Sequence, residues 1–192
     1  PSFAVASQKE LYDHYAEVSK HINIPIVLYN IPARTGNKLL PETVAKLARD
    51  VDVIMGAKDS SGDWDNLQAY IRLTQDLDKG FKVLSGNDSL ILKSLQAGGA
   101  GGIAGCYNVY PHVLSSIYNL FVEGKIEEAQ AAQDSIASFR AVFKYGNPNT
   151  VVKKADALLG NPVGECRRPF SYLSEEGTEA LRKVLEENKA KG

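Results

Sequence analysis

Cysteine is nearly missing from the chain: its 192 residues contain only Cys106 and Cys166. The two lie far apart and without CxxC spacing, which excludes a disulfide framework and reads as reduced thiols of a cytoplasmic protein. An excess of either charge is also missing. With 22 Lys+Arg against 23 Asp+Glu the net charge is -1, so there is no electrostatic case for nucleic acid or an anionic membrane as a partner. No apolar run approaches the ~20 residues of a membrane span, and no secretory signal is visible. His14, His21 and His112 share no ligand spacing and form no metal set with the cysteines, so no metal is expected. Phosphate-binding glycine loops are absent too. Neither G-x-G-x-x-G nor G-x-x-x-x-G-K-[ST] follows an apolar run, and Gly98-Gly99-Ala100-Gly101-Gly102 leads into one, the reverse of a dinucleotide-binding arrangement.

What is present is an ordinary globular composition, 44% hydrophobic and 23% charged, enough to bury a core. Helix and strand signals alternate along it. Gln8 to Ile22 carries Leu11, Tyr12, Tyr15, Val18 and Ile22 at helical spacing, and Pro25-Tyr29 is a short apolar run that predicts a strand buried on both faces. Pro41 opens a helix with Val44, Leu47 and Ala48 on one face. Strands follow over Val51-Lys58, Phe81-Ser85 and the glycine-rich Gly101-Cys106. They alternate with helices over Asp63-Leu77, Ser89-Ala97 and Pro111 to about Glu123. Such alternation predicts βα units around a parallel sheet, an α/β fold. From Lys125 onward the character changes to three helices, over Lys125-Tyr145, Asn149-Leu159 and Ser174-Ala190, joined by loops rich in Gly, Pro and Asn. The expected division is therefore 1-124 for the βα units and 125-192 for a C-terminal helical region.

Polar residues gather at the C-terminal strand ends: Tyr29, Lys58, Asp59, Gly86, Asn87, Asp88 and Asn108. That is where a (β/α)8 barrel places its chemistry, although four units make only half of one. Lys58 follows the uncharged Val53-Ile54-Met55-Gly56-Ala57. Burial at such a place disfavours an ammonium and yields a nucleophilic amine; the plainer alternative is a Lys turned to solvent or paired with Asp59. Tyr29 ends the preceding strand, so in a parallel sheet the two side chains converge, and a phenol can relay protons. A core aromatic is the plainer reading of Tyr29 taken alone. Arg34 lies in a Pro-x-Arg-Thr-Gly loop, where a guanidinium can bind a carboxylate through two hydrogen bonds, or simply face solvent.

Taken together, YNIPARTG, GAKDSSGD, SGND, GGAGGI, NPNTVVK and CRRPF, in this order and spacing, resemble the dihydrodipicolinate synthase/N-acetylneuraminate lyase family. The resemblance runs over essentially the whole chain and is most like the synthases. It implies a (β/α)8 TIM barrel whose last four βα units are present here, followed by the helical region. It further implies a class I, Schiff-base lyase or aldolase that is a cytoplasmic homo-oligomer, dimer or tetramer, acting on small molecules. In this reading Lys58 is the Schiff-base lysine and Tyr29 the proton-transfer tyrosine. Arg34 holds the aldehyde substrate's carboxylate, the backbone carbonyl of Ile103 faces the bound pyruvate, and Thr35 and Gly86 are further substrate-binding residues. No cofactor is expected beyond the covalent Schiff base with pyruvate on Lys58. The implied reaction joins pyruvate to aspartate semialdehyde in lysine biosynthesis.

Some positions point elsewhere. Arg34-Thr35-Gly36 and Ser89 favour the synthases, whereas Gly102-Ile103 and Tyr107-Asn108 are more lyase-like. Phe3 stands where the synthases carry a tyrosine that joins the proton relay across a subunit contact, and a phenyl ring relays no proton. Cleavage of a keto-sugar acid and a non-catalytic keto-acid-binding homologue therefore remain open. The family's first four βα units, with the hydroxyl residues that bind the pyruvate carboxylate, are expected on a segment outside this sequence or on another chain. Alone, the chain is expected to expose sheet edges, to aggregate and to be inactive.

Overall fold

In the computed structural model, which describes residues 1 and 3–189, the chain divides into two compact units, Pro1–Ile103 and Ala104–Gly192. The first unit opens with α1 (Gln8–Ser19), started by a capping box in which Ser7 and Glu10 satisfy each other's backbone N–H groups. It continues through β1 (Ile26–Asn30), the single turn α2 (Pro32–Thr35), α3 (Pro41–Asp50), β2 (Ile54–Asp59), α4 (Trp64–Thr74), β3 (Lys82–Ser85), α5 (Ile91–Gln96) and β4 (Gly101–Gly102). The four strands form one parallel sheet in the order β1-β2-β3-β4.

One face of that sheet carries the core. Leu28, Ile54, Ala57 and Val83 pack there against Leu11, Val44, Leu47, Leu67, Tyr70 and Ile71 from the helices. The other face is open, so β1 is not buried on both sides as its apolar run predicts. Leu28 is 1% exposed while its neighbours Val27 and Tyr29 are 48% and 46% exposed. The expected fourth strand is also shorter: pairing stops at Gly102, and Gly105–Asn108 turns into a 3-10 helix.

The second unit contains α6 (Pro111–Val122), α7 (Ile126–Ser135), α8 (Ala137–Ala141), α9 (Pro148–Leu158) and α10 (Glu175–Asn188). The helix α6, grouped by the sequence pattern with the βα units, belongs here and pairs with α7 across the Gly124 turn, at φ 77°. The predicted long helix over 125–145 is instead three short pieces, since α7 ends at Ser135 and the chain after α8 tightens into a 3-10 turn at Val142–Tyr145. Edge-to-face packing of Tyr110, Phe139 and Phe143, with ring centroids 5.3 and 5.6 Å apart, anchors this core. Among the described residues no helix is long and apolar enough to cross a membrane.

Candidate active site

Parallel pairing sets Tyr29 of β1 directly beside Lys58 of β2, and Lys58 beside Leu84 of β3. The next row pairs Asn30 with Asp59 and Asp59 with Ser85. Because side chains alternate, these rows face opposite ways. Lys58 reaches the open face through an irregularity that its apolar strand does not announce. Ile26 pairs with Ile54 but Val27 pairs with Gly56, so β2 accommodates one extra residue at Met55. Strict alternation from the buried Ile54 would carry Lys58 to the helix-covered side. The bulge moves it to the side of Tyr29.

There the Lys58 Nζ lies 4.1 Å from the centroid of the Tyr29 ring. Lys58 is half-buried rather than enclosed. Its sequence neighbour Asp59 is turned to the opposite face, which disposes of a Lys58–Asp59 ion pair. The Tyr29 hydroxyl accepts a hydrogen bond from Ser60 Oγ at 3.4 Å. Ser60 is a site residue that sequence reasoning missed, and its only advance signal was a hydroxyl two residues after the lysine.

Gly86 packs against the same group. A Cβ built on Gly86 would stand 1.9 Å from Ser60 Oγ and 2.8 Å from Lys58 Cε. Its backbone N–H donates to the Asp59 carbonyl at 2.8 Å, which holds the approach. Ile103 follows β4, with its N–H donating to Ser85 O at 2.8 Å and its side chain 50% exposed.

Arg34 occupies α2, which Gly36 ends in the left-handed region at φ 75°. The Arg34 side chain is exposed. Thr35 is tied into the same loop. Its Oγ1 lies 3.2 Å from Ile31 O and 3.0 Å from Asn37 O, and accepts from Asn37 N at 3.2 Å. Its hydroxyl thus shapes the loop that presents Arg34. Asn37 in turn receives the Ala6 N–H on Oδ1 at 2.6 Å and donates to Ala4 O at 2.8 Å, fastening the N-terminal segment. Phe3 in that segment is fully exposed and adopts φ 77°, a conformation costing an L-residue roughly 1 kcal/mol.

Behind the open face lies a buried polar layer. Asn30 Nδ2 donates to Asp59 Oδ1 at 2.7 Å, and Leu39 N–H donates to Asn30 Oδ1 at 3.0 Å. Asp59 also accepts from Ser61 N and Oγ, at 3.1 and 2.8 Å, and from Asn66 Nδ2 at 3.2 Å. Among the described residues no three His, Cys, Asp or Glu side chains gather in a metal-binding group.

A parallel α/β sheet with an amine and a phenol side by side at adjacent C-terminal strand ends defines a class of protein built for chemistry at the mouth of its strands. Comparison with known sequences narrows the class: the profile of the Dihydrodipicolinate synthetase family matches residues 1–188, and the chain belongs to that family. Among curated relatives, 4-hydroxy-tetrahydrodipicolinate synthase of Archaeoglobus fulgidus is 40% identical over 96% of this chain and 63% of its own length. The enzyme of the same name from Methanospirillum hungatei is 37% identical over 96% of this chain and 62% of its own. The dihydrodipicolinate synthase structure from Thermotoga maritima superimposes with a TM-score of 0.92 at 32% identity, covering 97% of this chain and 63% of that one. A prophage protein of the family from E. coli K12, solved in complex with pyruvate, gives 0.90 at 28% identity, over 96% and 62%. The chain thus spans less than two thirds of the length of these relatives.

Proposed function

We propose that this chain carries the Schiff-base half of a pyruvate-dependent synthase that condenses pyruvate with aspartate semialdehyde. The observation that carries the reading is the pairing of the Lys58 amine with Tyr29, 4.1 Å from Nζ to ring centroid, on the open face of a parallel sheet. Family membership and the names of the relatives support it. The four strands are read as one part of a TIM barrel, whose remaining strands would close over the open face and bury the apolar Val27 and Ile103.

The Lys58 nitrogen lone pair attacks the ketone carbon of pyruvate, and the proton that the nitrogen then sheds passes to the alkoxide oxygen to give a carbinolamine. Tyr29 supplies the proton that lets hydroxide leave as water, forming the iminium. The iminium draws electrons from the methyl carbon, which releases a proton and becomes the enamine nucleophile. The enamine carbon bonds to the aldehyde carbon, whose oxygen gains a proton. Attack of water or of the product's own amine on the restored iminium then frees Lys58. Arg34 binds the far carboxylate of the aldehyde through paired N–H···O bonds. The proposed chemistry uses no metal or organic cofactor, because the iminium is itself the electron sink. The enzyme works as an oligomer.

Phe3 favours a second reading, cleavage of a keto-sugar acid through the same enamine, because its ring brings no hydroxyl to the relay. A coupled assay of the full-length protein separates the two. Condensation of pyruvate with aspartate semialdehyde, lost by ~100-fold or more in Lys58→Ala, is expected. Pyruvate release from keto-sugar acids with no condensation activity would select the second reading, and neither activity would leave the non-catalytic homologue.

A further inference from the structure

The layer behind the sheet assigns a role to two residues outside the reaction. We propose that Asn30 and Asp59 form a positioning clamp that sets the Lys58–Tyr29 spacing. This rests on the Schiff-base reading of Lys58. Asn30 directly follows Tyr29, and Asp59 directly follows Lys58. Each pair of neighbours points to opposite faces of the sheet, so a bond between the second members fixes the strand ends that carry the first.

The bond is short and cannot be reversed. Asn30 Oδ1 is occupied by the Leu39 N–H, so its Nδ2 is what faces Asp59 Oδ1, at 2.7 Å. Asn30 and Asp59 are each 2% exposed, and Asn66, which donates to the other carboxylate oxygen, is 4% exposed. An apolar pair would fill this place without the cost of burying a carboxylate whose four hydrogen-bond partners are all neutral. What the polar pair adds is direction. It joins the end of β1, the end of β2, the Ser60–Gly62 turn, the Leu39 segment and the first turn of α4 at a single carboxamide–carboxylate contact. The Ser61 N–H and hydroxyl on Asp59 hold the turn in which Ser60 meets Tyr29. Rotation of either strand end would separate the amine from the phenol, and a misplacement of about 1 Å costs ~100-fold in rate.

The test uses full-length protein carrying Asn30→Asp, Asn30→Ser or the reciprocal pair Asn30→Asp with Asp59→Asn. The readouts are the rate of borohydride-trapped pyruvyl adduct formation, kcat and KM for each substrate, and melting temperature. In Asn30→Asp two carboxylate acceptors face each other with no donor between them, so adduct formation and kcat are expected to fall ~10–100-fold, with the KM for the aldehyde changed by less than ~3-fold. The reciprocal pair restores a donor opposite an acceptor and is expected to recover at least ~10-fold of that loss. Wild-type trapping rates in a folded Asn30→Asp, or a folded reciprocal pair no faster than that single variant, would overturn the clamp. Failure of all three variants to fold would also overturn it, by making the pair a requirement of folding alone. Absence of any adduct in the unaltered protein is a different result, since it removes the Schiff-base reading itself.

Discussion

A single methyl group added at Gly86 probes how tightly the site is built. In Gly86→Ala the new Cβ would lie 1.9 Å from Ser60 Oγ, 3.0 Å from Ser60 Cβ and 2.8 Å from Lys58 Cε. Ordinary carbon contacts begin near 3.5 Å, so each of the three is violated. Rotation of the Ser60 hydroxyl relieves the first at the expense of its bond to Tyr29 Oη. The contact to Ser60 Cβ remains after that rotation, and Lys58 must swing its Cε aside. Gly86 is not among the glycines at positive φ, so the penalty is steric alone, in the range of about 1–3 kcal/mol for overpacking. Displacing Cε moves the amine, and a shift of about 1 Å predicts ~100-fold slower adduct formation with pyruvate. Urea denaturation and single-turnover trapping measure the two effects separately. Ser60→Gly, combined with Gly86→Ala, removes both Ser60 contacts and is expected to restore most of the stability. A Gly86→Ala protein with unaltered denaturation midpoint and trapping rate would refute the packing argument.

Further outcomes follow from the fold. Tyr70 is fully buried and donates its hydroxyl to Leu39 O at 2.6 Å; Tyr70→Phe is expected to cost about 1–2 kcal/mol in urea denaturation. Asp63 caps α4 by accepting the Asn66 N–H, and Asp63→Ala is expected to lose about 1 kcal/mol. The Lys38 side chain, then the backbone N–H of Asn66, hold the Asp63 carboxyl below its ordinary value of 3.8. That contribution is present above about pH 4 and is lost as pH falls through the lowered folded value, so melting curves of Asp63→Ala and wild type should converge in acid. Asp156 in α9 is pushed the other way, upward from 3.8, by burial. Its folded state favours the protonated form, so stability present at low pH is lost as pH rises through the raised value. Asp156→Asn is expected to raise the melting temperature at pH 7 and leave it unchanged below about pH 3.

The βα alternation was legible because each apolar run and each helical spacing is a local signal. The face that each strand residue adopts was not. Pro25-Tyr29 reads as fully buried because nothing in one strand tells whether its second face is covered within the same stretch of chain. The extra residue in β2 is equally silent, since Met55 is as apolar as its neighbours, yet it decides that Lys58 joins Tyr29. Tyr29, Lys58 and Gly86 come together as their positions at strand ends suggest. Ser60 and Asn30 went unread because a serine two residues after a lysine and an asparagine after a tyrosine acquire meaning only through cross-strand register. The glycine-rich run over 98–102 did announce the fourth strand, but not that pairing ends at Gly102.

The central claim concerns the Lys58 amine, and its most direct measurement is chemical. Full-length protein is incubated with pyruvate, reduced with borohydride, digested, and the peptides are mass-mapped. A reduced pyruvyl adduct on Lys58, dependent on pyruvate and missing from Lys58→Arg, is the predicted result. An unmodified Lys58 in a folded, complete protein, or an adduct carried by another lysine, would contradict it.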